Sequence, residues 1–122
     1  MALKDIANEL VAGCREGRER ANLKALYADD AVSVEAAEMG GMGRETHGLA
    51  GIDGKHQWWG DNHTVTDGKV DGPYLHGDDR FAVIFAVKGT TKADGKAFDM
   101  TEVGIYHVKG GKITREEFYY AM

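Results

Sequence analysis

The stretch Arg80-Phe81-Ala82-Val83-Ile84-Phe85-Ala86-Val87-Lys88-Gly89-Thr90-Thr91 decides the fold. Successive side chains of a strand point to opposite faces. Phe81, Val83, Phe85 and Val87 therefore share one face, and Ala82, Ile84 and Ala86 share the other. Both faces are apolar, so both are expected to be covered. The run from Phe81 to Val87 is far too short to cross a bilayer.

Turn signals bracket this strand. His76-Gly77-Asp78-Asp79 precedes it, and Ala93-Asp94-Gly95-Lys96 follows as a hairpin turn of the Asp-Gly kind. Ala97 to Val108 is then a strand, Lys109-Gly110-Gly111-Lys112 another turn, and Ile113 to Ala121 the closing strand. Upstream, His63 to about Tyr74 reads as the first of these four strands, loosened by Gly68, Gly72 and Pro73.

The N-terminal half has a different period. Leu3, Ile6, Ala7, Leu10, Val11 and Cys14 recur at helical spacing, with Gly17 closing the helix. A short second helix carries Leu23, Leu26 and Tyr27 on one side, and Asp29-Asp30 breaks its pattern. Ala31 to Glu35 alternates as a short strand does. Glu35 to Gly51 is glycine-rich and contains Met39 and Met42, which suits either a plain connector or a lid over a pocket. It is no phosphate cradle, because no Gly-Lys-Ser/Thr ending and no preceding βαβ pattern are present. A third helix runs from about Ile52 to Asn62, with Ile52, His56, Trp59 and His63 on one stripe and Trp58 beside it. The fold class predicted is α+β: one domain over residues 1–122, three N-terminal helices packed on a curved antiparallel sheet.

Bulk properties bound the function. With 122 residues, 43% hydrophobic and 29% charged, the chain has the size and composition of a single globular domain. A formal net charge of −5, with no basic cluster, argues against nucleic acid as a partner. No run suits a membrane span, and the N-terminal residues lack a charged-then-apolar signal layout, so a cytoplasmic location is expected. The single cysteine, Cys14, lies on the first helix's apolar stripe and reads as a small buried hydrophobe. His47, His56, His63, His76 and His107 form no ligand-spaced unit, so neither a metal nor another cofactor is expected.

The helices can cover one face of the sheet. The apolar opposite face suggests a second copy, a homodimer through Ala82, Ile84, Ala86, Val103, Ile105 and Tyr119. The alternative is a small sheet with some apolar surface. On the helix-facing side, Glu102 shares its face with Gly104 and Tyr106, and Glu116 shares its face with Phe118 and Tyr120. Carboxyls among aromatics have raised pKa values, because desolvation disfavours the charged form, and then serve as general acids or bases near neutral pH. Alternatively, each pairs with a Lys or Arg at the rim.

Several motifs carry a family resemblance. They are Leu26-Tyr27-Ala28-Asp29-Asp30-Ala31, the Gly-Ile-x-x-Lys-x-x-Trp-Trp helix from Gly51 to Trp59, His76 to Val83, and the closing Val108 to Phe118. Together they resemble the SnoaL-like branch of the nuclear transport factor 2-like superfamily, which spans cyclases, isomerases, dehydratases, epoxide hydrolases and non-catalytic binding domains. The resemblance implies a cone-shaped sheet, a dimer through its outer face, and a pocket between helices and sheet. It also places Glu35 where the ketosteroid isomerase holds its carboxylate base, and Trp58 and Trp59 where that enzyme has pocket aromatics. Gly104 and Leu10 or Val11 fall where it has its hydrogen-bonding acid and oxyanion tyrosine, so its catalytic set does not transfer. Nor do Arg80 and Arg115 share a face with Glu102 and Glu116, as an epoxide-hydrolase arrangement requires. Val32 and Val34 alternate away from Glu35, which leaves the direction of Glu35 open.

The expectation is a binding site for a small hydrophobic molecule, with acid–base chemistry by Glu35, Glu116, His56 or Glu102. Trp58, Trp59, His63, Phe85, Tyr106, Phe118, Tyr120, Met39 and Met42 are the candidate ligand contacts. The competing readings are a binding module without chemistry and a dimerisation module.

Overall fold

The computed structural model describes every residue except Met1, Met39 and Met122. Helices α1 (Leu3–Glu16) and α2 (Glu19–Leu26) lead into β1 (Tyr27–Val34), β2 (Glu45–His47) and α3 (Gly48–Asn62). Strands β3 (His63–His76), β4 (Arg80–Thr91), β5 (Ala97–Lys109) and β6 (Lys112–Tyr119) complete the chain.

Helix α1 buries Ile6, Ala7, Leu10 and Val11, the stripe that its periodicity marks. It stops at Gly17, whose φ of 71° is left-handed and lets its N–H donate back to the Gly13 carbonyl. Helix α2 packs close behind because Gly13 has no side chain. A Cβ there would stand 2.1 Å from the Asn22 amide nitrogen. The Asn22 amide instead donates to the Glu9 carbonyl at 3.2 Å.

The sheet runs β2-β1-β6-β5-β4-β3. Its pairs are antiparallel except β1 with β6, which is parallel. This corrects the expectation of an antiparallel sheet. The last strand inserts between β5 and β1 and runs in the direction of β1, so the sheet is mixed. Three local boundaries also differ. Tyr27, on the helical stripe by period, opens β1 with its side chain buried. Asp29-Asp30 lies within β1, exposed, where the register against β6 shifts between Tyr27 and Val32. Such an irregularity lets two charged residues face solvent without ending the strand. The glycine-rich segment contains β2, which pairs back onto β1, and the first turn of α3.

The core sits between the layers. Ile6, Leu10, Leu23, Leu26 and Ile52 from the helices meet Phe81, Val83, Tyr106 and Ile113 from the sheet, all buried. Phe81 and Tyr106 are cross-strand partners and stack with centroids 4.9 Å apart. The core fills one end of the space between helices and sheet. The other end stays open.

Candidate functional site

The open end is a cleft whose floor follows from strand register. Phe85 pairs with Glu102, Gly104 with Phe118, and Tyr106 with Glu116. On the far side of Glu116, the parallel pairing sets Ser33 against it. Alternation then puts Ala31, Ser33 and Glu35 on the same inward side, which answers the question of where Glu35 points. Gly104 keeps the floor low: a Cβ would meet the Tyr106 ring at 2.9 Å and the Phe85 ring at 3.2 Å. The roof is α3, with Lys55, His56 and Trp59, and the start of α2, with Glu19.

Glu116 is 2% exposed and is held by two hydroxyls. Tyr27 donates to its Oε1, and the Ser33 Oγ donates to its Oε2 at 2.6 Å. Both oxygens thus accept, an arrangement that suits a carboxylate. Burial, then the neighbouring Glu116, raises the Tyr27 phenol well above its ordinary value, so it stays a donor. Lys55 continues the chain. Its ammonium donates to Ser33 Oγ and, at 2.9 Å, to Glu35 Oε1, and it lies 5.2 Å from the centre of the Phe118 ring. The Lys55 and Glu35 side chains are each only 13% exposed, so solvent screens this pair little. Tyr120 donates to Glu35 Oε2 at 3.1 Å and closes the network.

Glu102 stands apart from that network. Burial, then the charge of Glu35, pushes its carboxyl up to about 7, with Lys55 opposing and Glu116 adding a little. A group balanced there gives or takes a proton near neutrality at small cost. Cys14, at the α1 side of the cleft, is pushed up to about 12, first by burial and then by Glu19 and Glu116, and is no nucleophile.

Of the residues expected at a site, Glu102, Glu116, His56, Trp59, Phe85 and Phe118 line the whole cleft, Tyr106 one half, and Glu35 and Tyr120 the other. Trp58 does not line it. One helical step turns it away from Trp59, and Gly40 packs against its ring. His63 caps α3, with Nδ1 2.8 Å from the Trp59 carbonyl oxygen and its ring stacked on Trp59 at 4.4 Å. Met42 is 39% exposed in the β1–β2 connection, away from the lining, and Met39 lies outside the described residues. Lys55, Ser33 and Tyr27 were not among the expected site residues. The available signals were weak: Lys55 sits inside the Gly51–Trp59 motif three residues after the buried Ile52, and Ser33 alternates with Ala31 and Glu35. Among the described residues no group of His, Cys, Asp or Glu is placed to hold a metal, and no helix is long and apolar enough to cross a membrane.

The sequence matches the SnoaL-like domain family over residues 1–120. The chain belongs to that family. A Mesorhizobium loti protein, provisionally described as a SnoaL-like polyketide cyclase with carbohydrate phosphatase as a second label, is 42% identical. The match covers 98% of this chain and 100% of that one, with a TM-score of 0.90. A Xanthomonas campestris protein of cystatin-like fold is 17% identical over 100% of this chain and 92% of its own, with a TM-score of 0.79. TerC, co-crystallised with polyporic acid, is 22% identical over 91% and 85%, with a TM-score of 0.69. The last two likenesses show the fold alone. No curated protein matches the chain.

Proposed function

We propose that this SnoaL-like domain binds a small hydrophobic molecule in the cleft and moves a proton on it, without a cofactor, with Glu102 as the acid–base group. The observation that carries the reading is the Glu102 carboxyl, raised to about 7 by burial in an aromatic wall and facing the cleft from its floor. Glu116 and Glu35 are tied to hydroxyl and ammonium donors, so they suit anchoring roles. His56, on the roof opposite Glu102, is a second proton carrier in reach of a bound molecule. Isomerisation, cyclisation and hydrolysis all fit one such group beside an apolar pocket. That TerC, of the same fold, was crystallised with an organic acid agrees with a ligand of this kind.

The test starts from the molecule that co-purifies with the protein, identified by mass spectrometry. Glu102→Gln is expected to lower its turnover by about 100-fold or more while leaving its affinity within a few-fold. Turnover unchanged in Glu102→Gln removes that role. A ligand returned chemically unaltered by the native protein would favour a binding module.

We also propose that the outer face of β4, β5 and β6 pairs with a second copy of this chain. Ala82, Ile84, Ala86, Val103 and Ile105 lie there half-buried, and Tyr119 is 57% exposed.

A further inference from the structure

Glu19 opens α2 and reaches the cleft from the roof, where it lines both halves. Its Oε2 is shut off from solvent and meets no hydrogen-bond donor, the only buried side-chain oxygen or nitrogen in that condition among the described residues. A carboxyl in the first turn of a helix ordinarily complements the positive end of the helix dipole from the surface, and that role needs no burial. Burying an acceptor without a donor is costly, and folded proteins seldom leave one so.

The donors of its own neighbourhood are turned elsewhere. Arg15 donates to the Val70 carbonyl at 2.9 Å. Arg18 pairs with Glu9 at 2.6 Å and Glu16 at 3.0 Å. Arg20, next in sequence, gives its Nε and Nη2 to Asp53 and its Nη1 to Gln57. Asn22, almost one turn along α2, gives its amide to the Glu9 carbonyl. Lys55 on α3 donates to Ser33 and Glu35, and Lys69 is exposed at the rim on β3. What Glu19 does face is the cleft, whose ring surfaces are Trp59, Phe85 and Phe118. The last torsion of a glutamate is soft, so either carboxyl oxygen can turn to a bound molecule.

We infer that Glu19 is a recognition residue of the cleft, accepting a hydrogen bond from an O–H or N–H group of the bound molecule. This rests on the binding function proposed above and names the chemistry of the ligand: a ring-bearing body that carries a hydroxyl or ammonium donor. The body lies against the aromatic side chains and the donor sits under the start of α2. Glu102 meets the same molecule from the floor, so recognition and proton movement fall to different carboxyls. A hydrocarbon of the same shape would leave Glu19 unmatched.

Ligands that share one skeleton test the assignment: naphthylmethanol, naphthylmethylamine (an ammonium at neutral pH) and methylnaphthalene, all substituted at the same ring carbon. Affinities are read by displacement of the fluorescent probe N-phenyl-1-naphthylamine, whose own affinity is measured for each variant. On the native protein the alcohol, the ammonium or both should bind about tenfold more tightly than the hydrocarbon. Glu19→Leu removes the acceptor and should bring the donor-bearing ligands to within about twofold of the hydrocarbon, whose own affinity holds or rises. Glu19→Ala gives the same readout should the head of α2 not accept a leucine. Glu19→Gln keeps a carbonyl acceptor without the charge. It should retain a preference for the alcohol and lose one for the ammonium, which separates a hydroxyl ligand from a cationic one. Equal affinity for all the ligands on native protein overturns the assignment, as does a preference that survives in Glu19→Leu and Glu19→Ala. Failure of the probe and of every ligand to bind would instead overturn the reading of the cleft as a site for small hydrophobic molecules.

Discussion

Glu102 destabilises the fold at neutral pH, and the sign can be worked out. Its folded pKa of about 7 lies above the ordinary glutamate value of 4.5. Below about pH 4.5 the group is protonated in both states and contributes nothing. As pH rises through that value the unfolded chain ionises while the folded one does not, so stability is lost until about pH 7 and the loss is complete above it. A shift of this size corresponds to at most about 3 kcal/mol. Glu102→Gln should therefore be more stable than the native protein at pH 8, with the difference fading by pH 4.5, as read from urea midpoints. Equal midpoints at pH 8 would contradict a buried, proton-holding carboxyl. Glu116, by contrast, is held by two hydroxyl donors. Tyr27→Phe removes one of its two donors inside the core and should cost about 1–3 kcal/mol in urea denaturation, because a buried acceptor left unmatched keeps its desolvation penalty. A loss below about 0.5 kcal/mol would mean that the Tyr27 contact is not holding Glu116.

Among the elements, legibility tracked how local each cause was. β4 reads from sequence because both of its faces are apolar, and the structure gives its limits as Arg80–Thr91. The inward positions of Glu102, Glu116 and Phe118 followed from alternation alone. β1 was half legible. Its register against β6 joins residues some eighty positions apart, and neither the shift after Tyr27 nor the parallel direction leaves a local mark. For the same reason Lys55 escaped notice: its partners Ser33 and Glu35 come from another element, and lysine in a helix ordinarily faces solvent. The contact between α1 and α2 shows a similar conflict between local and non-local terms. Gly13→Ala should gain about 0.5–1 kcal/mol of helix propensity. The new Cβ would displace the Asn22 amide and its bond to Glu9, a loss of about 1–3 kcal/mol. The second effect should win, lowering Tm by about 3–6 °C for a domain of this size. A raised Tm would mean that Asn22 yields freely.

At the scale of the whole molecule, the sheet has one face under the helices and one that they cannot reach. Register assembles that outer face into rows: Ile84 beside Val103 beside Tyr119, and Ala82 beside Ile105. Along one side the surface turns polar, with His107 Nε2 3.1 Å from Glu117 and Arg115 3.5 Å from it. An apolar centre with a charged margin is the layout of a protein–protein contact, and a self-contact about a two-fold axis needs only one such patch. A stable interface of this kind buries on the order of 800 Å² per partner. Sedimentation at micromolar concentration should therefore give a dimer. Val103→Glu, which sets a charge in the middle of the row, should give a folded monomer with an unchanged circular dichroism spectrum. The cleft opens on the opposite side of the sheet, so that monomer should still bind the molecule that co-purifies with the native protein. A native protein that sediments as a monomer would refute the dimer and leave the cleft's assignment standing, because the two rest on opposite faces of the same strands.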